Sequence, residues 1–177
     1  MLTKKKIIII SVIVLAISIY LLKMYNPFII YKTVKEYDLS TEIKKKEVQE
    51  LSDVEKKNIG KYLISQEIST LDMNDRESII KKASDIYQKD QIDYGQTVLL
   101  RNYYPNRFTN LKLKFRDEKI NKDSNNKKSF TYDTNVYVKA NDSNQEYSKD
   151  IMEMHYKLEI IKENSSFKIV DRKYYIR

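Results

Sequence analysis

The chain has 177 residues, 33 of them Lys or Arg and 25 Asp or Glu, so its formal net charge is +8. It has no cysteine, which excludes disulfides, thiolate metal sites and a lipid-modified N-terminal cysteine. Its length allows one domain with a single core beside a terminal segment.

The positive charge is concentrated at the N-terminal end. Residues 1–35 contain six lysines and no acid, which leaves 27 basic and 25 acidic residues in the rest of the chain. A nearly neutral domain lacks the broad basic surface that phosphate backbones require. We therefore expect no direct nucleic-acid binding.

The first predicted element is an apolar helix over residues 7–22, without charge, glycine or proline. At 1.5 Å per residue it spans about 24 Å, and flanking lysines and tyrosines can make up the difference from a hydrocarbon core of about 30 Å. We predict a transmembrane anchor over residues 7–25. The residues of this predicted anchor include Ile7, Ile10, Val14, Ile17 and Leu22.

A cleaved signal peptide is the alternative to this anchor. The sequence KMYNPF follows Leu22 and offers no small-x-small cleavage site, so we favour the anchor. The lysines at positions 4–6 favour a cytoplasmic N-terminus. We thus predict a cytoplasmic tail (1–6), the anchor (7–25), a juxtamembrane stalk (26–50) and an extracytoplasmic domain (51–177) in the cell membrane.

Helices are predicted first in the outer domain. The thin apolar stripe of residues 41–51 predicts a solvated stalk helix. Ser52 and Glu55 form an S-x-x-E capping box, which predicts a helix from there to about residue 68. Asn74 and Glu77 repeat this pattern before a helix over residues 75–89. The apolar stripe of that second helix comprises Ile79, Ile80, Ala83, Ile86 and Tyr87.

After Gly95 the apolar period changes from 3.6 to 2. Residues 97–104 are predicted as a short apolar strand, and four alternating strands follow over about 108–119, 130–138, 152–160 and 167–176. Short polar loops between them favour antiparallel neighbours. The fold class is therefore α+β, with helices packed on one face of a curved four-stranded antiparallel sheet. We expect helix 75–89 to cover the first two of these four strands.

No residue pattern in the sequence indicates catalysis. His155 is the one histidine and is predicted as a solvated strand residue, while the carboxylate pairs at 90/93 and 117/118 fit turns and strand ends. The sequence has no calcium loop, phosphate-binding loop or nucleophile elbow. We expect no enzyme activity, no metal and no cofactor.

Fifteen tyrosines are the main aromatic feature. The tyrosines at positions 87, 132 and 156 lie on the apolar, inward-facing sides of the predicted helix and strands, so they are predicted to be in the core. Tyrosine provides a large contact area at low entropic cost, so doublets outside these stripes are candidates for a protein interface. These candidates are Tyr103, Tyr104, Tyr174 and Tyr175.

The predicted elements are capped helices followed by a meander, which ends in YKLEIIKENSSFKIVDRKYYIR. This order of elements resembles the cone-shaped fold of nuclear transport factor two. A short tail, one membrane span and an outer domain of this fold resemble the VirB-eight-like scaffold proteins of type IV secretion and conjugation channels, in their small Gram-positive form. The resemblance implies self-association and contacts with other channel subunits, without catalysis.

Two hypotheses of function follow. The first is a membrane scaffold subunit of a secretion or transfer channel. The second is a membrane-tethered module of the cell envelope that binds a ligand or a partner in its cone, for example in envelope stress or sporulation.

Overall fold

A computed structural model describes residues 31–101, 108–121, 128–142 and 148–176. The predicted anchor with its five named positions, and the doublet Tyr103–Tyr104, lie outside these residues. Within them, no helix has the length and apolar character needed to cross a membrane.

The described elements run helices first and strands later, after one short strand at the start. The strands are β1 (Lys32–Thr33), β2 (Phe108–Asn121), β3 (Ser129–Asp142), β4 (Ser148–Glu163) and β5 (Ser166–Ile176). The α-helices are α1 (Thr41–Lys45), α2 (Asp53–Ile68), α3 (Arg76–Ile86) and α4 (Ile92–Arg101). Short 3-10 helices cover Val34–Tyr37, Val48–Glu50, Ser69–Asp72 and Lys89–Gln91.

The sheet is antiparallel with sequential neighbours, in the order β1-β2-β3-β4-β5. The predicted meander of four strands is confirmed. The sheet nevertheless has five strands, because Lys32 and Thr33 return to pair with Leu113 and Lys112 at its edge. Two residues are too few to show an alternating pattern, so this strand could not be predicted.

The inward face of the sheet follows the predicted alternation. Its buried side chains include Leu111, Leu113, Phe115, Phe130, Tyr132, Val136, Val138, Met154, Tyr156, Leu158 and Ile160. Strands β4 and β5 are joined at Asn164 and Ser165, both with positive φ (46° and 66°), as two-residue hairpin turns require.

Helix α2 confirms the predicted capping box. The Ser52 hydroxyl accepts from the Glu55 amide, and the Glu55 carboxylate accepts from the Ser52 amide. Midway along the helix, a Cβ atom on Gly60 would lie 2.0 Å from Cδ1 of Tyr132 on β3. The missing side chain therefore lets the helix backbone rest directly on the tyrosine ring.

Helix α3 has a different cap and a different place from those predicted. Asp75, not Asn74, caps it by accepting from the amides of the next turn. Ile86 is fully buried, whereas Ile80 is only half-buried. The helix packs beside α4 and reaches the sheet at β5, where the Gln88 amide donates to the Ile169 carbonyl at 3.0 Å. It is α2 that covers β2 and β3.

The predicted strand over residues 97–104 is wrong for its described part, because residues 97–101 belong to helix α4. Gly95, Val98 and Leu99 are buried at i, i+3 and i+4, which is a helical stripe. A Cβ atom on Gly95 would lie 2.3 Å from Cδ2 of Tyr87. The glycine that suggested a break therefore lies inside the helix and admits an aromatic ring.

The predicted solvated stalk helix over residues 41–51 is also wrong. Helix α1 ends at Lys45, and Leu39, Val48 and Leu51 are buried in the core because the domain offers them an apolar surface. Residues 31–177 are one compact unit, and the described part of this unit contains a hydrophobic core. A unit with its own core can fold alone, so we expect the fragment 31–177 to fold without residues 1–30.

Candidate functional site

The interior of the domain holds a buried ion pair between helix α2 and strand β5. Glu67 is 6% exposed and Arg172 is 5% exposed. The Arg172 Nε atom donates to Oε2 of Glu67 at 3.1 Å, and its Nη2 atom donates to Oε1. This two-point contact is the strong geometry for an arginine and a carboxylate.

Two tyrosine hydroxyls complete the carboxylate's partners. The Tyr87 hydroxyl donates to Oε2 of Glu67 at 2.9 Å, and the Tyr156 hydroxyl donates to Oε1 at 3.0 Å. Each oxygen therefore accepts two hydrogen bonds. We call these four residues, Glu67, Tyr87, Tyr156 and Arg172, the interior cluster.

Aromatic rings hold the guanidinium group of Arg172 in place. Its central carbon lies 3.8 Å from the ring centre of Tyr174 and 5.2 Å from that of Tyr156. The two rings are stacked with their centres 6.3 Å apart. The Nη1 atom is buried and has no hydrogen-bond partner among the described residues.

Burial and the Glu67 charge set the protonation of the interior cluster. Burial raises the pKa of Tyr87 and Tyr156 far above the ordinary value, and the nearby carboxylate raises both further. Burial by itself lowers the pKa of Arg172, but the Glu67 carboxylate and the two tyrosines together raise it above its ordinary value. The tyrosines stay protonated and the arginine stays charged at physiological pH.

A small cavity adjoins the interior cluster between α2, α4 and β4. Its free volume is about 10 Å³, about what one water molecule needs. Its lining is Glu67, Ile68, Thr70, Leu71, Leu99, Met152, Met154 and Tyr156. This cavity thus has room for about one water molecule.

A second polar group lies at the bulge of β2. Asp117 has a φ of 56° there, and the register with β3 shifts between Arg116 and Lys119. The next residue, Glu118, accepts from the Tyr132 hydroxyl at 2.8 Å and pairs with Lys61 of α2 at 2.9 Å. Glu118 therefore ties helix α2 to the sheet, whereas Asp117 accepts from Nδ2 of Asn135 on β3 at 2.7 Å.

His155 lies on the outer face of the sheet, as predicted, but it is half-buried. Its Nδ1 atom is 3.0 Å from Oδ1 of Asn135, and its Nε2 atom is 3.5 Å from Oδ1 of Asp133. The ring stacks on that of Tyr175, with centres 6.2 Å apart. Among the described residues, no three His, Asp or Glu side chains are grouped so that they could hold a metal ion.

The structure separates the predicted interface tyrosines that it describes. Tyr174 faces inward against Arg172, whereas Tyr175 is 63% exposed on the outer face. Strand β5 is an edge strand of the sheet. Tyr175 therefore stays a candidate for an interface, and Tyr174 belongs to the packing around the interior cluster.

Sequence reasoning missed Glu67 and Arg172, because charged residues are ordinarily assigned to the surface. One signal was present. Glu67 follows Ile59 and Leu63 at intervals of four residues, so it continues their buried stripe. No such signal marks Arg172, because β5 bulges at Val170, opposite Glu159 and Ile160 of β4, and this shifts the alternation along β5.

Comparisons with known proteins find structural similarity at low sequence identity. No family model matches the sequence, and no curated protein matches it. The chain is similar to a provisionally named scytalone dehydratase from Novosphingobium aromaticivorans, with a TM-score of 0.48 and 12% identity, over 71% of this chain and 86% of the other. It is also similar to a hexachlorocyclohexane dehydrochlorinase (LinA) type 2, with a TM-score of 0.45 and 12% identity, over 70% and 86%.

Proposed function

We propose that the chain is a non-catalytic membrane scaffold subunit of a type IV secretion or conjugative transfer channel, acting through protein–protein contacts of its outer domain. The sequence supports this with its apolar run at residues 7–22 and a nearly neutral domain beyond it. The domain is an antiparallel meander covered by capped helices. This is consistent with the cone-shaped fold that the resemblance to these scaffold proteins implies.

One observation on the interior of the domain gives the proposal its strongest support. Both oxygens of Glu67 are occupied, and the adjoining cavity has room for only about one water molecule. A general base needs a free lone pair within reach of a substrate proton. The cluster is therefore better suited to hold α2 against β5 than to act on a substrate, which leaves the outside of the domain for function.

The outer end of β5 is the surface best suited to contacts. Near its start the strand is covered, because the Gln88 amide donates to Ile169. Towards its end it presents the exposed ring of Tyr175 at the edge of the sheet. A tyrosine ring and an edge strand are both features that partner proteins use.

A second candidate function is the ligand-binding module. The observation that favours it is the buried Nη1 atom of Arg172, which has no partner among the described residues. A buried donor without a partner is costly and calls for a water molecule or a ligand atom. A compound that binds there would have to displace side chains around the small cavity.

Chemical crosslinking in native membranes, followed by purification of the full chain and mass spectrometry, tests the proposal. We expect copies of the chain itself and other transmembrane channel subunits among the crosslinked partners. A crosslinked set without any channel component would rule out the scaffold, and recovery of the monomer with a bound small molecule would favour the second candidate.

A further inference from the structure

Two surface pockets lie against the hairpin that joins β4 to β5. The first, of about 160 Å³, is bounded by this hairpin, by α2 and by the ends of α1 and α3. The second, of about 290 Å³, is bounded by the hairpin, the end of α3 and the start of α4. Ser166 and Lys168 line both of them, so the two pockets adjoin. We call them the hairpin pockets.

Two lysines of the hairpin strands fix the walls of the pockets. The Nζ atom of Lys168 on β5 donates to the carbonyls of Ser84 and Asp85 at 2.6 Å and 2.9 Å, at the end of α3. The Nζ atom of Lys162 on β4 donates to the Lys46 carbonyl at 2.9 Å, just after the end of α1. The last carbonyls of a helix have no partner within it, so these contacts hold the hairpin against both helices. The pockets are therefore preformed.

The first pocket combines an apolar floor with free hydroxyl groups. Leu39 and Phe167 in its lining are 6% and 3% exposed. The lining also includes Tyr62, which is half-buried, and the exposed Ser165 and Ser166. The hydroxyl groups of these three residues form no hydrogen bond with the described part of the chain. They can each donate to and accept from a ligand.

The charges at the first pocket offset one another. Three lysines and three carboxylates lie in its lining or beside it: Lys44, Lys82, Lys168, Asp38, Asp85 and Glu163. Lys44 pairs with Asp38 at 3.6 Å. Burial lowers the pKa of Lys168, and the nearby carboxylates of Asp85 and Glu163 oppose that shift. An anion would meet these carboxylates, so the pocket is better suited to a neutral ligand with many polar groups.

The size of the pockets indicates six-membered rings. A cavity of about 150 Å³ accommodates one benzene ring, so the first pocket has room for about one such ring and the second for about two. A pyranose ring has this size, with C–H groups on its faces and hydroxyl groups around its edge. Its faces fit the apolar floor and its edge fits the hydroxyl, ammonium and carboxylate groups, the usual combination in a ligand site.

We propose that the hairpin pockets bind a glycan, with about three pyranose units of its chain lying across Ser166 and Lys168. This site goes beyond the scaffold function, because it lies at the hairpin and not at the outer end of β5. The source of the glycan rests on the proposed function, since a domain outside the cytoplasm meets the polymeric glycan of the cell wall. A free oligosaccharide has the same chemistry, and the test separates the two sources.

Titration of the fragment 31–177 with N,N′,N″-triacetylchitotriose, a soluble chain of three pyranose rings, tests the site by NMR. We expect the amide shifts to be confined to the hairpin and the adjoining helix ends, with Ser166 and Lys168 among the largest. Tyr62→Phe removes one hydroxyl group and should weaken binding about 3- to 10-fold, the worth of one hydrogen bond. Ser166→Trp fills the space that both pockets share and should abolish binding.

Val54→Trp is the matched control for the added indole group. Val54 is 68% exposed and belongs to neither pocket, so this variant should bind the trisaccharide as the unmodified fragment does. Thermal unfolding shows whether each variant is folded. Tyr62→Phe changes the pocket by one oxygen atom only, so it decides the case if Ser166→Trp does not fold.

Co-sedimentation with purified cell-wall sacculi identifies the source of the glycan. Binding to sacculi that the trisaccharide reverses supports the polymer, and binding of the trisaccharide alone supports a free oligosaccharide. The inference is overturned if the trisaccharide causes no shifts, causes them away from the hairpin, or binds the Tyr62→Phe and unmodified fragments equally. None of these results would affect the search for channel partners, and a failure of that search would not change the titration.

Discussion

Arg172 on β5 engages both carboxylate oxygens of Glu67, a residue 105 positions earlier in the chain. This contact joins the end of the first long helix to the last strand. Both side chains lie in the core, with exposures of 1% and 6%, and two tyrosine hydroxyls surround the pair. The pair is therefore central to how the helices are held on the sheet.

The variant Glu67→Gln should destabilise the fragment 31–177 strongly. It leaves the charge of Arg172 buried without its counterion, and breaking a buried pair in this way costs about 3–5 kcal/mol. Urea denaturation measures the free energy of unfolding. The control is Asp38→Asn, which breaks the surface pair Lys44–Asp38 (3.6 Å, both exposed) and should cost less than about 1 kcal/mol. Equal costs would show that the buried pair does not hold the fold.

The buried tyrosines predict a loss of stability in alkali. Burial raises the pKa of Tyr87, Tyr132 and Tyr156 in the folded chain, whereas an unfolded tyrosine titrates near 10. Above about pH 10 the unfolded chain holds fewer protons than the folded chain, so the free energy of unfolding decreases as the pH rises. Below that pH this contribution is fully present.

The variant Tyr87→Phe isolates one of these hydroxyls. Urea denaturation between pH 9 and 11 should show a slope against pH that is shallower by up to about 1.4 kcal/mol per unit. A slope identical to that of the unmodified fragment would mean that the Tyr87 hydroxyl is not buried in the folded state.

Gly60→Ala should destabilise the domain although alanine is the better helix former. The propensity gain is about 1 kcal/mol, but the new Cβ atom would lie 2.0 Å from the Tyr132 ring. Overpacking typically costs about 1–3 kcal/mol, and a contact this close belongs at the upper end, so we expect a net loss of 1–2 kcal/mol. Thermal unfolding measures it.

Two further variants make the Gly60 experiment decisive. Asn58→Ala, at an exposed position of the same helix, should be neutral or slightly stabilising. Tyr132→Leu should make Gly60→Ala less costly, because it removes the ring that the methyl group meets. If Gly60→Ala stabilises the unmodified domain, helix α2 does not rest on Tyr132.

The sequence predicted the strands β2–β5 and helix α2 because each has a simple local signal. Alternation marks the strands, and the pair Ser52 and Glu55 marks the helix start. Helix α4 was missed because its run TVLL favours a strand locally, while the contact of Gly95 with Tyr87 that favours a helix is tertiary. The interior cluster was missed for a similar reason, since only the folded chain brings Glu67 to Arg172.

The predicted topology places residues 26–177 outside the cytoplasm. Cysteine substitutions at Ser124 and Ser143 can be probed on intact cells with a membrane-impermeant thiol reagent, since the chain has no other cysteine. We expect labelling before lysis, with a cysteine at Thr3 labelled only after lysis. The reverse pattern would place the domain in the cytoplasm and exclude an external scaffold.

We propose that this domain functions through its outer surface, in contact with other subunits of a membrane channel. Site-specific photo-crosslinking of the full chain in native membranes tests it most directly, with the photoreactive residue at Tyr175 and, as control, at Val54. Both positions are well exposed (63% and 68%), but only Tyr175 lies on the edge strand. We predict adducts with channel subunits or a second copy from Tyr175 and none from Val54. Equal yields from both positions, or no such adduct from Tyr175, would contradict the account.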